Sequence, residues 1–117
     1  MMPPSLVAGV RRNALLTREE TFRPLAPVIR FERYEEAIVL ANDTPFGLAS
    51  CVCSSDPRTI ARARRDIESG MVGINPGLIS NAAAPFGGVK QSDLGREGSH
   101  HGPEEYLNIK YLCQAGL

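Results

Sequence analysis

The pattern of apolar and polar positions changes character near residue 76. Before it, β-prone runs alternate with segments of helical spacing. Residues 1–24 carry Pro3, Pro4 and Pro24 and sustain no period, so they read as loop. In LAPVIRFE, Val28, Ile29 and Phe31 predict a strand. RYEEAIVLAND places Tyr34, Ala37, Ile38 and Ala41 at helical spacing, so one face of a helix can bury. LASCVCSS is a short apolar run suited to a covered strand. The next helix is the best signalled. Ser55 or Asp56 can cap it, Pro57 suits its first turn, Ile60, Ala63 and Ile67 form its apolar stripe, and Gly70 can end it. MVGIN then predicts a third strand. Beyond residue 76 a glycine-rich loop runs to about residue 98, followed by a helix near PEEYL and a β-prone end, IKYLC.

Strand, helix, strand, helix, strand at these spacings predicts an α/β fold, a parallel layer with helical crossovers. Parallel strands need cover on both faces, and two helices over three strands make a thin core. The chain therefore reads as part of a larger fold.

Composition narrows the function classes. The 117 residues suffice for one small domain, and 13 basic residues balance 13 acidic ones. That balance offers no electrostatic case for nucleic acid or a membrane surface as partner. No apolar run approaches the roughly 18 residues of a membrane span. The opening MMPPSLVAGVRR lacks the basic start of a secretory signal, and without secretion the sequon Asn42-Asp43-Thr44 reads as accidental. Three cysteines at uneven spacing fit a reduced, cytoplasmic protein better than a disulfide framework.

Candidate chemistry is sparse. Arg58, Arg62, Arg64 and Arg65 could form an anion-binding face, but interleaved with Asp66 and Glu68 they read as a solvated helix face. Cys51 and Cys53 share one face of a strand, and Cys113, His100 and His101 could complete a zinc site only without the usual paired ligand spacing. No metal site is expected, and the cysteines read as buried and structural. His100 and His101 are adjacent, so on a helix or strand they would point apart. Lys90 follows glycines but is followed by Gln91, so no phosphate-binding loop is present, nor is there a G-x-G-x-x-G. No catalytic constellation is complete.

Several segments in register nevertheless carry a resemblance. REETFRPLAPVIRF, EEAIVLANDTPFGLA, GMVGIN, GLISNAAAPFGGVKQS and LGREGSHHGPEEYLNIKYLC resemble, in order, the C-terminal portion of an NAD(P)-dependent aldehyde dehydrogenase, most closely the succinate-semialdehyde branch. The resemblance implies part of a three-layer parallel-sheet catalytic domain over residues 1–107, and an oligomerisation strand over 108–117. It implies oxidation of an aldehyde by a cysteine thiolate, with hydride passing to NAD or NADP and water hydrolysing the thioester. The nucleophile and general-base segments have no match in this chain. Cys51, preceded by Leu-Ala-Ser rather than a Gly-Gln pair, matches a structural strand instead.

By the same resemblance, Glu20 matches the carboxylate that accepts from the nicotinamide ribose, and Phe22 the aromatic beside the nicotinamide. Ser80 matches a hydroxyl that bonds the substrate's distal carboxylate, and Phe86 an aromatic wall of the substrate tunnel. The implied partners are a small aldehyde substrate and further copies of the chain, as a homo-oligomer or by self-association. Three positions depart from the family pattern. Arg23 and Asp93 stand where glycines are usual, and Pro103 replaces an apolar residue in an expected helix. Strain is expected at Arg23 if that position is left-handed. Two readings follow: part of a semialdehyde dehydrogenase, inactive by itself, or a non-catalytic remnant serving as an oligomerisation or interaction module.

Overall fold

The best-signalled unit forms as the pattern predicts. In the computed structural model, which describes residues 2–116, Ala49–Val52 and Met71–Ile74 pair in parallel, with the helix Pro57–Asp66 crossing between them. In chain order the elements are β1 (Ser5–Ala8), β2 (Leu25–Val28), α1 (Tyr34–Asn42), β3 (Ala49–Val52), α2 (Pro57–Asp66) and β4 (Met71–Ile74). Short 3-10 turns cover Leu15–Thr17 and Gly102–Tyr106.

The expected parallel layer is two separate ladders. β3 pairs only with β4, while β2 pairs with β1, a strand formed within the segment read as loop. Too short to show a period, β1 takes its conformation from its neighbour: Ser5 N donates to Pro24 O at 2.8 Å, and Ser5 stands opposite Leu25. The same pairing places β2 over Leu25–Val28 rather than Val28–Phe31. Pro27 has no N–H to give, which suits a strand with an open edge.

Asp56 accepts from the backbone N–H groups of Arg58 and Thr59 at 3.2 and 3.0 Å and from the Thr59 hydroxyl at 2.6 Å, with Pro57 in the first turn. Arg64 and Arg65 lie in the last turn, where the helix dipole favours cations. The helix stops at Asp66, followed by extended Ile67, well before Gly70. Gly70 serves close approach instead: a Cβ there would run into the carbonyl of Gly87, which packs the glycine loop against the entry to β4.

Four polar contacts join the ends of α1 and α2 to that loop. Asn42 Nδ2 donates to Asp66 O at 2.8 Å, and Asn42 Oδ1 accepts from Glu68 N at 3.0 Å. Lys90 Nζ donates to Asn42 O at 2.8 Å and pairs with Glu68 at 2.9 Å. Asn75, left-handed at φ 63°, clamps the far end of the β3–β4 ladder by exchanging two bonds with the Ser54 backbone.

The local joints are closed, but the faces are open. Among the described residues, Ala63 is the sole apolar side chain classed as buried. The radius of gyration is 19.2 Å, against about 13 Å for a compact globule of this length. The accessible area is 9621 Å², where about 6200 Å² is usual. All three cysteines are exposed rather than buried: among the described residues nothing covers Cys51 on β3, Cys53 just past it, or Cys113 near the end of the chain. No strand forms over 108–116, where Ile109, Tyr111 and Leu112 stand almost fully exposed, since a β-prone segment needs a neighbour to complete its ladder.

The α2 cap should be visible in a pH titration. The Thr59 hydroxyl, then the backbone N–H groups of Thr59 and Arg58, hold the Asp56 carboxyl below its ordinary range. A lowered folded-state value stabilises the helix above the ordinary carboxylate value of about 3.9. That contribution disappears as pH falls through the folded value. By circular dichroism, Asp56→Ala should lose helicity at neutral pH, and Asp56→Asn should keep its cap in acid. An Asp56→Ala titration superimposable on the wild type would contradict this.

Candidate functional site

The glycine-rich stretch 84–98 is a folded-back loop fastened at its base. Phe86 and Glu97 form an antiparallel bridge with N–H···O distances of 2.8 and 2.7 Å. Val89 N and Gln91 N donate to Gly47 O and Pro45 O at 2.9 and 3.0 Å, and Gly47 N donates to Ser92 Oγ at 2.9 Å. Arg96 Nη1 closes the loop from inside by donating to Gly88 O at 2.8 Å. Phe86 is thereby held half-buried at the root of the loop, and Ser80 is exposed on the segment leading into it.

Glu20 and Phe22 stand apart from that pair, on the loop between the first 3-10 turn and β2. Glu20 is exposed and has no hydrogen-bond partner among the described residues. Phe22 is 83% exposed and left-handed at φ 48°. A bulky residue rarely adopts that conformation. The strain expected at Arg23 therefore lies one residue earlier; Arg23 is not left-handed, and its carbonyl accepts from Leu25 N at 2.7 Å in a tight turn.

An open depression of about 660 Å³ is lined by Glu20 together with Thr17, Phe46, Ser50, Ser69 and Ser92, among others. Phe22, Ser80 and Phe86 do not line it. Of the four residues singled out from the sequence, Glu20 alone lines this depression; Glu20, Phe22 and Ser80 are exposed and Phe86 is half-buried.

Two of the four arginines on the α2 face are engaged within the chain. Arg62 pairs with Glu35 at 2.8 Å and lies 3.9 Å over the Tyr34 ring, and Arg65 pairs with Asp66 at 2.9 Å. The Arg62 bond holds the Glu35 carboxyl below its ordinary range. Asp66 is held down by Arg65 first and then by Tyr34, whose own phenol is raised by partial burial and by Asp66. These engaged groups support the reading of a solvated face.

Two of the three departures are accommodated. Pro103 falls in the first turn of the Gly102–Tyr106 3-10 helix, where its missing N–H costs nothing. Asp93 is not left-handed, and its Oδ1 accepts from Leu94 N at 2.8 Å. Sequence reasoning gave Lys90 no role and saw Asn42 only in an accidental sequon; neither motif nor period marks a side chain that binds backbone far away in the chain.

The sequence profile described as "Aldehyde dehydrogenase family" matches residues 1–112. A glutarate-semialdehyde dehydrogenase of Pseudomonas aeruginosa is 54% identical over 97% of this chain, and a human mitochondrial succinate-semialdehyde dehydrogenase 55% over the same share. The chain spans only 24% and 21% of those relatives. The crystal structure of a succinate-semialdehyde dehydrogenase from Burkholderia pseudomallei superposes with a TM-score of 0.91 at 56% identity, over 97% of this chain and 23% of that one. With the profile covering nearly the whole sequence and the backbone following a solved relative, the chain belongs to the aldehyde dehydrogenase family, a family of oxidoreductases.

Proposed function

We propose that the chain supplies a cofactor edge and a substrate wall to a semialdehyde dehydrogenase, with the remaining catalytic groups lying outside it. The observation that carries this reading is the 54–55% identity to semialdehyde dehydrogenases across 97% of the chain. The reaction converts an aldehyde, with water, to the acid, and a hydride leaves the aldehyde carbon. The chemistry of Glu20 and Phe22 fits NAD(P). A carboxylate is acceptor-only and can take two hydroxyl donors, as a ribose diol offers. An exposed aromatic on a strained backbone is suited to meeting a planar ring. When bound, NAD(P) would supply the hydride acceptor.

Ser80 would donate to the distal carboxylate of succinate or glutarate semialdehyde, and Phe86 would wall the apolar part of the substrate. Residues 108–117, whose Ile109, Tyr111 and Leu112 are exposed, would pair with another subunit, completing a homo-oligomer in the cytoplasm. The full length of the chain would then comprise the end of a catalytic domain, 1–107, and that strand.

The isolated chain should show no aldehyde-dependent reduction of NAD or NADP, because no segment of it matches the family's nucleophile or general base and most of the cofactor site would lie elsewhere. Turnover that Cys51→Ser abolishes would overturn the reading.

The assigned roles can be measured in a chimera. With this chain replacing the corresponding segment of the Pseudomonas aeruginosa relative, Ser80→Ala should raise KM for glutarate semialdehyde roughly tenfold, the loss of one hydrogen bond to a charged group. KM for an uncharged aldehyde of the same length should hold steady. Equal effects on both substrates would remove Ser80 from carboxylate recognition.

A further inference from the structure

The two histidines do not point apart as adjacency on a regular element would require. Gly98 and Ser99 are both left-handed, at φ 68° and 49°, and turn the chain so that the two imidazoles stack with centroids 3.9 Å apart and planes 40° from each other. The turn is pinned: Ser99 N donates to Ala82 O at 3.1 Å, Gly102 N to Gly98 O at 2.9 Å, and His101 N to Ser99 Oγ at 3.3 Å. The following 3-10 helix, with Pro103 in its first turn, brings Glu104 beneath His101, with His101 Nδ1 and Glu104 Oε2 separated by 3.3 Å. One donor atom from each of His100, His101 and Glu104 lies within 4.8 Å of the others.

We propose that His100, His101 and Glu104 form a binding site for a divalent transition-metal ion of the zinc or nickel class. Tetrahedral bonds of roughly 2.0–2.2 Å separate ligand atoms by about 3.4 Å. His101 and Glu104 already stand at that separation, and a ring nitrogen of the exposed His100 lies within 4.8 Å of both. Two imidazole nitrogens and one carboxylate select such metals over calcium or magnesium, which prefer all-oxygen shells. Three protein ligands leave a position for water. The arrangement depends on residues that depart from regular structure, Gly98 and Ser99 in the turn and Pro103 at the helix start, and not on the aldehyde chemistry.

The test uses the full chain without an affinity tag. Zinc titrated against a chromophoric chelator should bind at one equivalent with micromolar affinity. His101→Ala and Glu104→Gln should each weaken binding at least about tenfold. Replacing Cys51, Cys53 and Cys113 together by serine should leave it unchanged. His100 and His101 are the chain's only histidines, so cobalt(II) should shift both imidazole NMR signals without producing a thiolate charge-transfer band. Absence of stoichiometric binding would overturn the proposal. So would a site that persists in the His100→Ala/His101→Ala double variant or vanishes with the cysteines.

Discussion

Three segments of the chain meet at the carboxyl end of α1, and Asn42 is the residue that ties them together. Its amide donates to the last carbonyl of α2 and accepts from the N–H of Glu68, while its own carbonyl is taken by Lys90 of the glycine loop. Each of these groups would otherwise be a helix-end or loop group without a protein partner. The bond to Asp66 is part-buried and the other two are exposed, so each contributes on the order of 1 kcal/mol, and the joint acts through their number. This joint sets where β4 begins relative to β3 and holds the root of the loop that carries Phe86. The surface ion pairs of Arg12 and Arg18 with Asp43 add little by comparison, being exposed and screened.

What the joint cannot provide is cover. Among the described residues each of the four strands pairs on one side only, and every strand keeps half-buried or exposed positions. An apolar surface of this extent is usual for a layer whose other side is built by further chain or by another subunit. The relatives, four to five times longer by the shares this chain spans, are consistent with that. Phe22, Ser80 and the apolar positions of 109–112 are all exposed.

Legibility in the sequence followed the range of each interaction. The α2 cap at Asp56, the Ile60 and Ala63 positions of its stripe and the β3 and β4 runs are set by neighbours within a few residues, and they appeared where the pattern placed them, whereas Ile67, expected on the same stripe, is extended just past the helix. β1 and the displacement of β2 were not legible, because a four-residue strand is specified by its partner 20 residues away. The contacts of Asn42 and Lys90 span 24 to 48 residues and leave no local trace. The stacking of His100 on His101 was misread for a related reason: two successive left-handed residues, one of them a serine, override the directions that a helix or strand would impose. The candidate site residues were readable only through family resemblance, since a lone glutamate, serine or phenylalanine carries no chemical signature of its own.

If the chain is one side of a layered fold, its open edges and apolar faces should find each other in solution. Sedimentation of the full chain across a concentration series at micromolar levels tests this most directly. The account predicts a weight-average mass above that of the monomer and rising with concentration. A single monomeric species at every concentration would contradict it.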